Sequence, residues 1–116
     1  MKRKILIVED VKLNREIIKR ILCNEYDILE AQNGQEALNI MDDKAAGLSA
    51  VLLDLSMPVM NGLEATKIIR ESNTEIPIIM QTAYAFSSDK ENAMNAGATE
   101  VLVKPITLSI LRTTLS

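Results

Sequence analysis

The sequence has no histidine and no tryptophan, and only one cysteine, one phenylalanine and two tyrosines among its 116 residues. Each scarcity removes a class of function. Without histidine there is no His-based metal site, no Ser-His-Asp triad and no phosphohistidine of the chain's own. Cys23 stands alone, so no disulfide framework exists within one chain. Aromatics at 3% leave no stacking platform for single-stranded nucleic acid. A binder of phosphate backbones needs a basic excess, whereas 13 Lys+Arg face 16 Asp+Glu for a net charge of −3. The longest apolar runs are four or five residues, far short of the roughly 20 that cross a bilayer. Met1-Lys2-Arg3-Lys4 is basic, but only Ile5 to Val8 follow before two acids, too short a core for a signal peptide. The compartment expected is the cytoplasm, without membrane or direct nucleic-acid contact. The length suits one domain over residues 1–116, with a single core.

What is present is an alternation of two patterns. Ile5-Leu6-Ile7-Val8, Val51-Leu52-Leu53, Ile78-Ile79-Met80 and Val101-Leu102-Val103 are short continuous apolar runs, the signature of strands buried on both faces. Tyr26-Asp27-Ile28-Leu29-Glu30 alternates more and reads as an edge strand. Between the runs the spacing is helical. The first helix carries Leu13, Ile17 and Ile21, with Ile18 and Leu22 beside them, and Arg15, Glu16, Lys19 and Arg20 on the opposite side. The second, from about Gln35 to Asp43, turns Ala37, Leu38 and Met41 inward. The third follows Asn61-Gly62 and carries Leu63, Ile68 and Ile69. The fourth runs from about Ser87 to Asn95, with Ser87 or Ser88 as N-cap, Ala93 and Met94 as its apolar residues, and Gly97 closing it. The fifth begins after Pro105 and carries Leu108, Leu111 and Leu115. Strand-helix repeated five times implies a three-layer α/β sandwich with a parallel sheet and right-handed crossovers. With the second strand the most polar, the order expected is 2-1-3-4-5, the flavodoxin-like arrangement, whose crevice lies beyond the carboxyl ends of strands one and three.

The residues at those carboxyl ends carry the chemistry. Strand one ends in Glu9-Asp10, strand three in Asp54, strand four in Thr82-Ala83 and strand five in Lys104-Pro105. Three carboxylates, a hydroxyl and an ammonium therefore gather at one rim. Two like charges about 4 Å apart repel by roughly 4 kcal/mol at an effective dielectric near 20, so such a cluster calls for a cation. Oxygen donors alone favour a hard divalent ion, and Mg²⁺, which keeps several waters and accepts phosphate oxygens, suits the set. The physical reading is a Mg²⁺-dependent phosphoryl site with Asp54 as nucleophile, Thr82 as hydroxyl donor and Lys104 as the charge that pairs with phosphate.

At these residues the chain resembles the receiver domain of two-component response regulators. The matching segments are Val8-Glu9-Asp10, Leu53-Asp54-Leu55-Ser56-Met57-Pro58-Val59-Met60-Asn61-Gly62, Thr82-Ala83, Gly97-Ala98 and Val103-Lys104-Pro105, in order across nearly the whole chain. The resemblance implies that Asp54 accepts a phosphoryl group from a sensor histidine kinase or a histidine phosphotransfer domain. It implies that Asp10 ligates Mg²⁺ directly, Glu9 mainly through water, and Ser56 through its backbone carbonyl. Thr82 and Lys104 would bind phosphoryl oxygens, and a cis peptide before Pro105 would aim Lys104 into the site. Phosphorylation would then move the loop after strand four and the face made by helix four, strand five and helix five, a face that also suits a homodimer. The family commonly places Tyr or Phe three residues before the lysine as a rotameric switch; here Val101 stands there and cannot swing. Tyr84, two residues after Thr82, would restrict water near the phosphoryl group, and Ser56 shares that position of influence over hydrolysis. Asn14 matches receivers attached to hybrid kinases. The resemblance also allows the chain to be a piece of a longer protein with an output domain.

Three rival readings differ in testable ways. A docking module without phosphorylation would show a competent site and no conformational change. A haloacid-dehalogenase-type phosphatase wants a second Asp two residues after the nucleophile, where Ser56 stands. A flavodoxin-like FMN protein needs a hydroxyl-rich phosphate loop after strand one, where the sequence has Glu9-Asp10-Val11-Lys12. Such a phosphoacceptor would promote only its own phosphorylation and slow dephosphorylation, so it is not an enzyme of ordinary turnover. Cys23 reads as a small core or boundary residue, and Asn61-Gly62 as a turn.

Overall fold

A computed structural model describes residues 3–44, 47–54, 61–82, 87–104 and 107–115. The elements run β1 (Arg3–Val8), α1 (Lys12–Leu22), β2 (Tyr26–Ala31), α2 (Gly34–Lys44), β3 (Leu48–Asp54), α3 (Gly62–Ser72), β4 (Ile78–Thr82), α4 (Ser87–Ala96), β5 (Glu100–Val103) and α5 (Leu108–Leu115). The five strands form one parallel sheet in the order β2-β1-β3-β4-β5. The apolar runs fill its three central strands: Ile5 to Val8, Ala50 to Leu53 and Ile78 to Met80 are all buried. The most polar strand, β2, lies at an edge, as the alternation in Tyr26–Glu30 predicts.

Period-two alternation sends neighbouring residues to opposite faces. Leu6, Val8, Val51, Leu53, Ile78 and Met80 pack toward α2, α3 and α4, where Ala37, Ala65 and Ala93 let the helices approach closely. Ile5, Ile7, Leu52 and Ile79 pack toward Ile18 and Leu22 of α1 and Leu111 of α5.

The helix ends follow local chemistry. Asn61, expected as part of a turn, caps α3: its side chain accepts from the Glu64 N–H at 2.9 Å. Gly97 takes φ 114° and closes α4, with Gly97 N–H donating to the Met94 carbonyl at 3.1 Å and Ala98 N–H to Ala93 at 3.0 Å. That is the pairing of a Schellman motif, which only glycine adopts without strain. Ser87 and Ser88, expected to cap α4, are its first two helical residues, and the residues before them lie outside the described ones.

Helix α1 sits differently from the expected orientation. Leu13 and Ile17 are 64% and 48% exposed, while Arg15, Ile18 and Leu22 are buried. Apolar residues 13, 17, 18, 21 and 22 spread over about half the helix circumference at 3.6 residues per turn, so the apolar arc is wider than the contact, and Arg15 falls on the inner half. Ile68, at 37%, is likewise more exposed than expected, and Ala65 and Thr66 take the inner side of α3 with Ile69. Cys23 is exposed at the end of α1, not at a core boundary.

Candidate functional site

Parallel pairing brings distant residues to one rim because equivalent strand ends align. Val8 pairs with Leu53, so Glu9 and Asp54 emerge from adjacent strands. Asp54 pairs with Gln81, and Thr82 with Val103, so Thr82 and Lys104 emerge beside them. The backbone extends this alignment beyond the strands: Glu9 N–H donates to the Ala31 carbonyl at 3.1 Å, and Lys104 N–H to Thr82 at 2.8 Å.

The three acids meet. Glu9, Asp10 and Asp54 each offer a carboxylate oxygen, and these lie within 4.8 Å of one another. Glu9 and Asp54 are buried and Asp10 is exposed. Lys104 reaches into the cluster, its Nζ 3.5 Å from Glu9 Oε2 and 3.4 Å from Asp54 Oδ2. Thr82 ends β4 in the same layer, buried. Glu9 Oε1 accepts from the Val11 N–H at 3.3 Å and from Asn14 Nδ2 at 3.5 Å. Burial and the Asp54 carboxylate push the Glu9 pKa up from its ordinary value, with Lys104 and the Val11 N–H opposing.

Three carboxylates against one ammonium leave an excess of negative charge in a half-buried place. At 4.8 Å each like-charged pair costs about 3.5 kcal/mol at an effective dielectric near 20. The donors are all oxygen, which is the chemistry of a hard divalent cation. The fit is therefore good on the donor set alone, and Glu9, Asp10 and Asp54 are the described residues able to hold such an ion.

Ser56, Tyr84 and Pro105 lie outside the described residues. Val101 is partly buried against the α2–α4 side of the core and pairs with Met80. It is a packing residue there, in line with the absence of an aromatic swing.

Two residues in and around the site were not singled out for it by sequence reasoning. Arg15 is buried, and its Nη1 donates to the Glu9 carbonyl at 2.8 Å and the Asp10 carbonyl at 3.4 Å, with Glu30 at 3.6 Å from its Nε. It braces the backbone that presents both acids. The available signal was its spacing: Arg15 shares a helix side with Ile18 and Leu22, at i+3 and i+7. Gln81 is buried one position before Thr82, and its amide nitrogen has no hydrogen-bond partner among the described residues. Its signal was a polar residue extending an apolar strand run.

Comparison with known proteins agrees with this architecture. The family model described as Response regulator receiver domain matches residues 5–116. The chain is 38% identical over 116 residues to sensor protein EvgS of Escherichia coli K12, covering 99% of this chain and 10% of that protein. It is 38% identical over 113 residues to chemotaxis protein CheY1 of Helicobacter pylori J99, covering 94% of this chain and 90% of that one. The receiver domain of sensor histidine kinase PA1611 from Pseudomonas aeruginosa PAO1 superposes with a TM-score of 0.89 at 31% identity, covering 99% of this chain and 95% of that one; that structure has a magnesium ion coordinated in its active-site cleft. The chain thus spans most of one relative's length and about a tenth of the other's. No helix among the described residues is long and apolar enough to cross a membrane.

Proposed function

We propose a phosphoacceptor function, and the premise is the family: the chain belongs to the response regulator receiver domains. In this reading Asp54 takes a phosphoryl group from the phosphohistidine of a sensor histidine kinase or histidine phosphotransfer domain. A carboxylate oxygen of Asp54 attacks phosphorus, the N–P bond breaks as the O–P bond forms, and imidazole leaves with the electron pair and takes up a proton. The product is an aspartyl phosphate.

The observation that supports this most is the meeting of Glu9, Asp10 and Asp54 with Lys104 bridging two of them. Glu9, Asp10 and Asp54 would hold Mg²⁺, which supplies neutralising charge for the phosphoryl oxygens. Lys104 already lies 3.4 Å from the Asp54 carboxylate, close enough to follow a phosphoryl group formed there. Thr82 offers its hydroxyl from the neighbouring strand end. The resemblance adds the Ser56 carbonyl as a ligand, Pro105 as the residue that aims Lys104, and Tyr84 as a shield against hydrolysis. Arg15 holds the Glu9-Asp10 backbone in place. The chain acts as a switch in a two-component or phosphorelay pathway in the cytoplasm, not as a turnover enzyme. Its output is read on the α4-β5-α5 face, where Met94, Val103 and Ile110 are exposed and also suit a homodimer.

The test is the intact mass of the chain after incubation with acetyl phosphate, with and without Mg²⁺, beside Asp54→Asn. A single phosphoryl adduct that needs both Mg²⁺ and Asp54 is expected. An adduct that persists in Asp54→Asn, or none under any condition, would overturn the assignment.

A further inference from the structure

Between α1 and the sheet lies a cavity of about 370 Å³. Ile17, Ile18 and Ile21 form its apolar wall, and Glu9, Asn14, Gln81 and Lys104 its polar end. That size and that division, apolar walls with a few converging polar groups, are those of small-molecule sites. One polar group there is out of balance. Gln81 is 1% exposed on a central strand, and its amide nitrogen is buried with no hydrogen-bond partner among the described residues. Ile79, two residues earlier on the same side of β4, serves the core as a plain hydrocarbon. Packing alone gives no reason for a carboxamide at 81.

The neighbouring groups define what is missing. The Glu9 carboxylate already receives Val11 N–H, Asn14 Nδ2 and Lys104 Nζ. The unmet need at Gln81 is a donor's, so the complementary group is an acceptor. An anion is disfavoured because Glu9, Asp10 and Asp54 sit together beside the polar end. We infer that this cavity binds a small, neutral, amphipathic molecule: a carbonyl-type oxygen accepts from the Gln81 amide, and a compact apolar body lies against Ile17, Ile18 and Ile21. The terminal torsion of a glutamine is broad and soft, so the N–H turns toward the cavity without leaving its rotamer. The inference goes beyond the phosphoacceptor reading and does not depend on it.

The test is an amide-resolved NMR titration of the whole chain with acetophenone, beside ethylbenzene, which keeps the phenyl ring and the two-carbon chain and has no acceptor. Neither Mg²⁺ nor a phosphoryl donor is present, so failure here leaves the phosphoacceptor assignment standing, and failure there leaves this one. Saturable shifts are expected at residues 14–21, 81 and 104, with acetophenone binding about fivefold to tenfold more tightly than ethylbenzene, the worth of one net hydrogen bond. Gln81→Leu is expected to erase that preference while ethylbenzene still binds. Ile17→Trp, at a half-exposed wall position, should close the cavity to both molecules without touching the strand. Shifts that do not saturate, shifts centred elsewhere, or an undiminished preference in Gln81→Leu would overturn the inference.

Discussion

Under α2, α3 and α4 the sheet meets an apolar layer in which Leu6, Val8, Leu53, Ile78 and Met80 close against Ala37, Ala65, Ile69 and Ala93. The buried hydroxyl on that side, Thr66, is satisfied by the Gly62 carbonyl at 2.7 Å. Under α1 and α5 the apolar layer of Ile5, Ile7, Leu52, Ile79 and Leu111 gives way, toward the rim, to the Arg15 guanidinium, the Gln81 amide and an open cavity. The difference shows where each side spends its stability. One face is apolar in its buried core and fixes the strands. The other carries the groups that brace and flank the acidic site, and it borders the cavity beside α1.

Adjacent residues of β3 give the sharpest way to break that comparison, because Leu53 faces the first side and Leu52 the second. Leu53→Ala should cost about 3–4 kcal/mol and Leu52→Ala about 2–3, since Ile18, in the same apolar cluster as Leu52, borders the cavity and can shift toward the space left. Urea denaturation of both variants measures it, and equal costs would mean the two faces are packed alike. Next in size is Arg15→Met, expected to lose about 1–3 kcal/mol by leaving the Glu9 carbonyl without its donor; it should also slow phosphorylation from acetyl phosphate. Gln81→Leu should move the other way, gaining about 1 kcal/mol by removing an unsatisfied buried amide.

The acids supply a pH test. The folded-state pKa of Glu9 is raised above its ordinary 4.5, so its contribution to stability is present below that value and lost as pH rises through the folded value. Without Mg²⁺, Glu9→Gln should therefore gain in stability on the native chain as pH climbs from 4 to 7. Added Mg²⁺ should narrow the gap by stabilising the native chain. Thermal melts across that range follow both effects, and a gap independent of pH would show that Glu9 is not the strained group. The smallest effect belongs to Leu13→Ser, exposed on the outer side of α1, expected within about 0.5 kcal/mol of the native chain.

Much of this was legible in the residues. The apolar runs name the central strands, the polar alternation of Tyr26–Glu30 names an edge, and the strand ends name Glu9, Asp10, Asp54, Thr82 and Lys104 as neighbours. Parallel topology makes that step short, because every strand delivers its last residue to the same side. The face of α1 was harder. Five apolar residues covered half of that helix, and an arginine on its inner side looked like surface until the Glu9 and Asp10 carbonyls gave it partners. Gln81 was hidden for a related reason: a single polar residue beside a run of apolar ones carries no period of its own.

The glycine that ends α4 has a mechanical consequence. Arg70 of α3 donates to the Gly97 carbonyl at 2.8 Å and to the Asn73 carbonyl at 3.1 Å, and its Nη2 reaches Thr99 Oγ1 at 3.3 Å. A β-carbon at Gly97 would stand 2.6 Å from the Arg70 side chain, so the junction admits no larger residue without displacing its bolt. One end of α4 is thus pinned at the edge of the sheet opposite the acids, and its other end begins at Ser87. With 10 residues at 1.5 Å each, the helix reaches about 15 Å from that pinned end. A tilt of about 10° about Gly97 would displace the Ser87 end by about 2.5 Å and leave the Gly97 end where it was.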